Sequence, residues 1–186
     1  MNIFYKKVLN IKLYPSLKIF WVYDKINEMV SVTIKGELGI LRLNIPKIST
    51  VSISKQFIYL TYTNKKFYSI NKTLFKLILS NIKGVNNIYN INLQLSGIGY
   101  KVLFKNSNLY FDLGYSHKII VKIPNHIQVE IKNQNTNLIL KSINKVELGK
   151  VASRLMTLKP KDPYKGKGII NILQPITLKQ GKTKTH

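Results

Sequence analysis

The sequence predicts an α+β fold of two similar domains, each a mainly antiparallel β-sheet arrangement packed with one α-helix. Three observations predict it. Apolar residues alternate with polar ones in many short stretches joined by turn residues, the pattern of antiparallel strands. Twice, that period of two gives way to helical spacing. Both times the order is strands first and helix second. Each helix carries an apolar stripe and each sheet an apolar face, so each covers the other. A chain of 186 residues, 45% of them hydrophobic, can build one or two small cores.

Residues 1–28 are the hardest to read. Ile11, Leu13, Leu17 and Ile19 are apolar but Pro15 interrupts them, and Ile19 to Tyr23 suits a strand. From Met29 the pattern clears. Val30, Val32 and Ile34 alternate with Ser31, Thr33 and Lys35, and Gly36-Glu37-Leu38-Gly39 turns the chain. Leu41, Leu43 and Ile45 form the return strand, closed by Pro46, and Val51 and Ile53 continue the alternation. Ile58, Leu60 and Tyr62 make a further strand. After Asn71 the spacing becomes helical through Phe75, Ile78, Leu79 and Ile82, with Gly84 where a C-terminal cap belongs.

A second series starts near Ile88. Strands are expected around Ile91–Leu95, Val102–Phe104, Leu109–Leu113, Ile119–Ile123, Ile127–Ile131 and Leu138–Leu140. Asn144 then reads as a helix N-cap, with Glu147 in the capping-box position. Leu148, Val151, Ala152 and Leu155 form the buried stripe, while Lys150 and Arg154 share a solvent-facing side. Pro160 and Pro163 end the helix. The expected organisation is an N-terminal segment 1–23 of unassigned structure, an α+β domain over 24–87, a second over 88–170, and a basic tail over 171–186.

The charge is +23, from 30 basic and 7 acidic residues. Same-sign charge of that size repels itself and becomes tolerable when a polyanion neutralises it. Nucleic acid is the first candidate partner and an acidic membrane surface the second. The bases comprise 28 Lys and 2 Arg, beside 19 Asn and 27 Ile, a composition of AT-rich codons. Lysine attracts phosphate as a point charge but lacks the planar fork of arginine. Without cysteine there is no disulfide or thiolate-metal scaffold. No apolar run approaches the roughly 18 residues of a membrane span, so no membrane insertion is expected. Asn71-Lys72-Thr73 matches a glycosylation pattern that is read as accidental.

Catalytic chemistry is thinly supported. His117, His126 and His186 sit in no cluster at metal-ligand spacing, and the seven acids suggest no carboxylate pair. Ser116-His117 is a dipeptide rather than a nucleophile and its base. The GKT within Lys179-Gln180-Gly181-Lys182-Thr183-Lys184 lacks the upstream glycine of a nucleotide loop, since Ile176 stands there. No enzyme activity, metal, cofactor or small-molecule substrate is therefore expected.

The strongest functional signal follows the second helix. From Lys150 to His186 there are nine basic residues and one acid, Asp162. Lys159, Lys161, Lys165 and Lys167 flank prolines and glycines. Gly166 and Gly168 let the backbone approach a partner closely. Tyr164 offers a ring to stack on a base or to pack against protein. Such a strip suits a phosphate-rich groove.

Six segments together resemble the bacterial-type L-six family of large-subunit ribosomal proteins: VTIKGELG (32–39), LFKLILSNIKGVNN (74–87), LQLSGIGYKV (93–102), LGYSHKI (113–119), IPNHIQVEI (123–131) and LGKVASRLMTLKPKDPYKGKGI (148–169). The last is the most specific and the Gly-Tyr-Ser-His loop comes next. The resemblance implies two α+β domains and a structural role in the large subunit without enzymatic activity or cofactor. It implies binding to large-subunit rRNA near the sarcin–ricin loop, the stalk base and the elongation-factor site, beside neighbouring large-subunit proteins. Carried onto this chain, Tyr164, Lys165, Gly166, Lys167 and Gly168 match the family's basic motif, and Gly114, Tyr115, Ser116 and His117 match its second loop. The expected rRNA-binding residues are Tyr164, Lys165, Gly166, Lys167, Gly168, Ser116 and His117 from these matches, with the cations Lys118, Lys150, Arg154, Lys159 and Lys161 beside them, and the domain over 88–170 is the main rRNA-binding unit the resemblance implies. Gly97, Gly99 and Tyr100 match a glycine-tyrosine turn. The chain departs from the pattern at Met156, often basic in the family, at Ile170-Asn171 in place of an Arg-Tyr pair, and across Ser142 to Val146. Lys159 stands where arginine is usual. The AT-rich composition places the expected ribosome in the mitochondrial matrix, with another organelle or an AT-rich bacterium as alternatives. A basic nucleic-acid-binding protein outside the ribosome is the competing functional class.

Overall fold

The computed structural model describes residues 11–12, 17–24, 29–46, 49–53, 57–62, 65–133, 135–174 and 177–181. The chain divides into two compact units, Met1–Ile88 and Tyr89–His186. Both combine antiparallel strands with one α-helix, the architecture expected from the alternation.

In the first unit, β1 (Ile11–Lys12), β2 (Lys18–Asp24), β3 (Met29–Lys35), β4 (Ile40–Ile45), β5 (Ser49–Ile53) and β6 (Phe57–Tyr62) precede α1 (Tyr68–Asn86). They form two three-stranded sheets, ordered β2-β3-β4 and β1-β6-β5. The apolar halves of the alternating strands point inward: Val32, Ile34, Ile45, Ile58 and Leu60 are buried. The helix covers them with Leu74, Ile78, Ile82 and Val85, and it contacts β3, β4 and β6.

This helix starts earlier than the spacing predicts and runs through Gly84 instead of stopping there. Packing overrides the glycine signal. Val85, one residue on, is completely buried, and a side chain on Gly36 would meet its Cγ2 at 2.7 Å. The Leu38 N–H donates to the Val85 carbonyl at 3.1 Å. The β3–β4 turn thus holds the last turn of α1 in helical form. The actual cap is Asn87, whose N–H donates to the Lys83 carbonyl at 2.7 Å. Asn71 lies in the helix, buried, with its amide donating to the Phe67 carbonyl at 3.0 Å, so the glycosylation pattern there is inaccessible.

In the second unit, β7 (Tyr89–Ser96), β8 (Lys101–Lys105), β9 (Asn108–Asp112), β10 (Ile119–Lys122), β11 (Gln128–Lys132) and β12 (Asn137–Ser142) precede α2 (Lys145–Leu158) and β13 (Gly168–Asn171). The sheets are ordered β10-β9-β8 and β11-β12-β7-β13. Asn106 and Ser107, both at positive φ, close the two-residue β8–β9 hairpin, whose mirror-image turn matches strand twist. One core joins the sheets and helix, with Leu93, Phe111, Leu138, Leu140, Leu148 and Leu155 essentially inaccessible to water. Asn144 caps α2 as expected: its side-chain oxygen accepts from the N–H groups of Val146 and Glu147. The Glu147 carboxylate does not reach back to complete a capping box. It pairs with His126 Nε2 instead.

The last strand was not foreseen. Its residues read as the end of an open basic strip, yet Gly168–Asn171 pair antiparallel with Ser96–Leu93 at the edge of the four-stranded sheet.

Candidate nucleic-acid interface

Helix α2 stops at Leu158 because Lys159 turns extended and Pro160 has no N–H to continue the ladder. The chain then makes a closed loop back to β13. The Ile169 N–H donates to the Lys159 carbonyl at 3.0 Å and the Asp162 N–H to the Lys167 carbonyl at 2.7 Å. At the tip, the Gly166 N–H reaches the Asp162 carbonyl at 2.9 Å, and the Asp162 side chain accepts the Tyr164 N–H at 2.9 Å. This tip needs left-handed backbone at Gly166, where φ is +68°. The strip between helix and strand is therefore a hydrogen-bonded hairpin-like loop with a defined shape.

Its side chains face water. Lys161, Tyr164, Lys165 and Lys167 are exposed, as are Lys150 and Arg154 on the preceding helix. Lys150 and Arg154 stand four residues apart on one face, so they lead along α2 toward the loop. Among the described residues none of these cations pairs with a carboxylate; the ion pairs His126–Glu147 and Lys141–Glu130 lie elsewhere. Hydrogen bonding from Lys141 holds the Glu130 carboxyl below the usual carboxylate range. Asp162, the acid nearest the loop lysines in sequence, has an oxygen committed to the Tyr164 backbone.

The loop Gly114–Lys118 is fixed beside this region by Tyr115. Its hydroxyl donates to the Leu158 carbonyl at 3.1 Å, a helix-end acceptor with no partner inside the helix. The Lys159 ammonium lies 4.1 Å from the centre of the same ring. Ser116, His117 and Lys118 are exposed next to that anchor. The Ser116 hydroxyl and His117 Nδ1 are 3.4 Å apart on an open surface, a long contact that activates no nucleophile.

Two of the twelve sequence-derived positions serve the fold itself. Gly168 is buried, and a Cβ there would meet the Pro160 carbonyl oxygen at 2.7 Å and Lys161 Cα at 2.8 Å. The close approach this glycine permits is to its own chain. Lys159 is half-buried with its charge over Tyr115. Sequence reasoning also missed residues that shape the site. Tyr115 belongs to the matched second loop, but nothing local showed that it anchors that loop to the end of α2. Lys179, read as part of the basic tail, donates its N–H to the Pro163 carbonyl at 2.9 Å. Leu178 covers Gly166, reaching 3.4 Å from the position a Cβ would take. Lys182 to His186 lie outside the described residues, and so does that part of the tail reading. Met156, Ile170 and Asn171, the departures noted above, come together on one pocket of about 230 Å³ between α2 and β13.

Comparison with known proteins places this geometry in a family. The "Large ribosomal subunit protein uL6c" of Phaeodactylum tricornutum is 36% identical over 161 residues, covering 82% of this chain and 86% of its own. The "Large ribosomal subunit protein uL6" of Legionella pneumophila is 33% identical over 157 residues, covering 82% and 87%. The chain belongs to the uL6 ribosomal protein family. A further uL6c relative, from Thalassiosira pseudonana, is 34% identical over 184 residues and extends the match to 94% of this chain and 95% of its own. The family model described as Ribosomal protein L6 matches residues 96–171, which take in the Gly97–Tyr100 turn, the Tyr115 loop, α2, the basic loop and β13. These uL6 relatives are bacterial and algal. The family assignment is therefore not specific to mitochondria.

Proposed function

We propose that this chain is a non-catalytic constituent of the large ribosomal subunit that binds large-subunit rRNA. The observation that carries the reading is a hydrogen-bonded loop whose lysines pair with no carboxylate among the described residues, built into the part of the chain that matches the family model. A loop backbone held by its own hydrogen bonds suits a folded RNA backbone, since its lysines can neutralise phosphates without reordering the loop. Lysines dominate over arginine forks, so shape and phosphate contacts outweigh base reading. Lys150, Arg154, Lys161, Tyr164, Lys165, Lys167, Ser116, His117 and Lys118 supply the contact side chains. Gly166 supplies the loop's turn. The binding position is the neighbourhood of the sarcin–ricin loop, the stalk base and the factor-binding region, with neighbouring large-subunit proteins as further partners. The Lys-, Asn- and Ile-rich composition supports an AT-rich genome, and we place the ribosome in the mitochondrial matrix.

Replacing Lys165 and Lys167 together with Ala tests the phosphate contacts. Binding of the full chain to a large-subunit rRNA fragment should weaken, and the slope of log affinity against log salt should fall by about 1.4–1.8 for two lost contacts. An unchanged slope refutes these contacts. The high positive charge equally suits a nucleic-acid-binding protein outside the ribosome. Co-migration with salt-washed large subunits supports the ribosomal reading, and release into a free or membrane pool counts against it. Loss of chemical protection of the sarcin–ricin loop in subunits lacking the chain checks the position.

A further inference from the structure

We propose that the pocket between α2 and β13 receives one unpaired nucleobase of the bound RNA. The inference rests on the RNA-binding reading above and adds to it a site of different chemistry. The pocket measures about 230 Å³ and opens to solvent. Its apolar walls are Met156, Pro160, Ile169 and Ile170. Such walls suit the faces of a base, which gains by leaving water for an apolar surface.

The polar groups distinguish a base from an aliphatic side chain. Asn171 Oδ1 already accepts the Leu173 N–H at 3.1 Å, which leaves the Asn171 amide N–H groups as donors. The Thr157 hydroxyl already donates to the Arg154 carbonyl at 2.7 Å, which leaves its oxygen as an acceptor. One pocket therefore offers a remaining donor from Asn171 and a remaining acceptor from Thr157 on two different walls. Base edges present that combination, and a purely apolar occupant would leave both groups unpaired.

Charge complementarity completes the choice. Exposed Lys161 also lines the pocket. Lys150, Arg154 and Thr157 follow one another at helical spacing along a single face of α2. Phosphates tracking those cations would bring the attached base to the pocket mouth. A protein segment packed beside β13 is the competing occupant, and the test separates the two.

Ser153 lines the pocket, is exposed on α2 and contributes nothing to the core. In Ser153→Trp the indole fills the space. Binding of the full-length variant to a large-subunit rRNA fragment should weaken about tenfold, within the range for losing one stacked base. The salt slope should stay unchanged, because no phosphate contact is removed. Ser153→Ala should bind as the wild type does. On the wild-type chain, ultraviolet cross-linking to the same RNA carrying 4-thiouridine should label peptides from α2 or β13. Wild-type affinity in Ser153→Trp overturns the base site, and so do cross-links confined to the Tyr164–Lys167 tip, while RNA binding itself stands. A Ser153→Trp variant that binds RNA normally but loses a protein neighbour in assembled subunits overturns it in favour of the protein segment. Failure of the wild-type chain to bind the RNA sinks the underlying reading as well.

Discussion

A methyl group on Gly168 would have nowhere to go. Its Cβ would meet two backbone atoms within 2.8 Å, and φ there is +136°. Backbone cannot swing aside as a flexible side chain would. Gly168→Ala should therefore cost about 1–3 kcal/mol, the scale of a strained backbone position. Denaturant unfolding would measure the loss. Weakened RNA binding alongside it would report the altered loop, and a variant as stable as wild type would contradict the packing described. The glycine-rich strip was legible in the sequence as a place of close approach. What it approaches was not, because the contacting atoms belong to Pro160 and Lys161, which reach Gly168 only when the loop closes. Lys159 gives the same lesson: its charge is visible in the sequence, whereas its place over Tyr115 depends on a ring 44 residues away.

Among elements, the Tyr115 anchor matters most to the interface. It ties the Gly114–Lys118 loop to the end of α2 through one hydrogen bond and one cation–ring contact. Tyr115→Ala removes both. Each is worth on the order of 1 kcal/mol at a partly exposed position. The variant should keep its helix signal in circular dichroism but show faster amide exchange over 114–118 and lower RNA affinity. Unchanged exchange would mean that the loop is held by other contacts. Element type was mostly legible because alternation and helical spacing are local, and the strands from Met29 to Ser142 answer to that pattern. The two failures have one cause. α1 passes Gly84, and β13 forms from a segment that looks like a loop, because a partner distant in sequence supplies what local propensity lacks. For Gly84 it is the β3–β4 turn, and for β13 it is the ladder of β7.

For the whole molecule the dominant fact is the charge of +23. It opposes compaction of the free chain and favours its association with a polyanion. Salt should therefore act with opposite signs on the two. Raising sodium chloride from about 0.05 to 0.5 M shortens the screening length severalfold. The melting temperature of the free protein should rise by a few degrees while RNA affinity falls. Calorimetry and filter binding across the same salt series would show both trends, and a melting temperature that falls with salt would mean that self-repulsion is not a significant cost of folding.

The sequence by itself determined the α+β class, the order of the elements from Met29 through α2, the cap at Asn144 and the polyanion-seeking charge. Each of these is set by residue type and short-range spacing. Only the tertiary structure decided the shape of the basic strip. It closed Lys159–Ile169 into a loop, turned Gly168 inward, set Tyr115 under Lys159 and gathered Met156, Ile170 and Asn171 around one pocket. Those outcomes depend on which backbone and side-chain groups meet after the chain has folded back, and such meetings leave no period in the sequence.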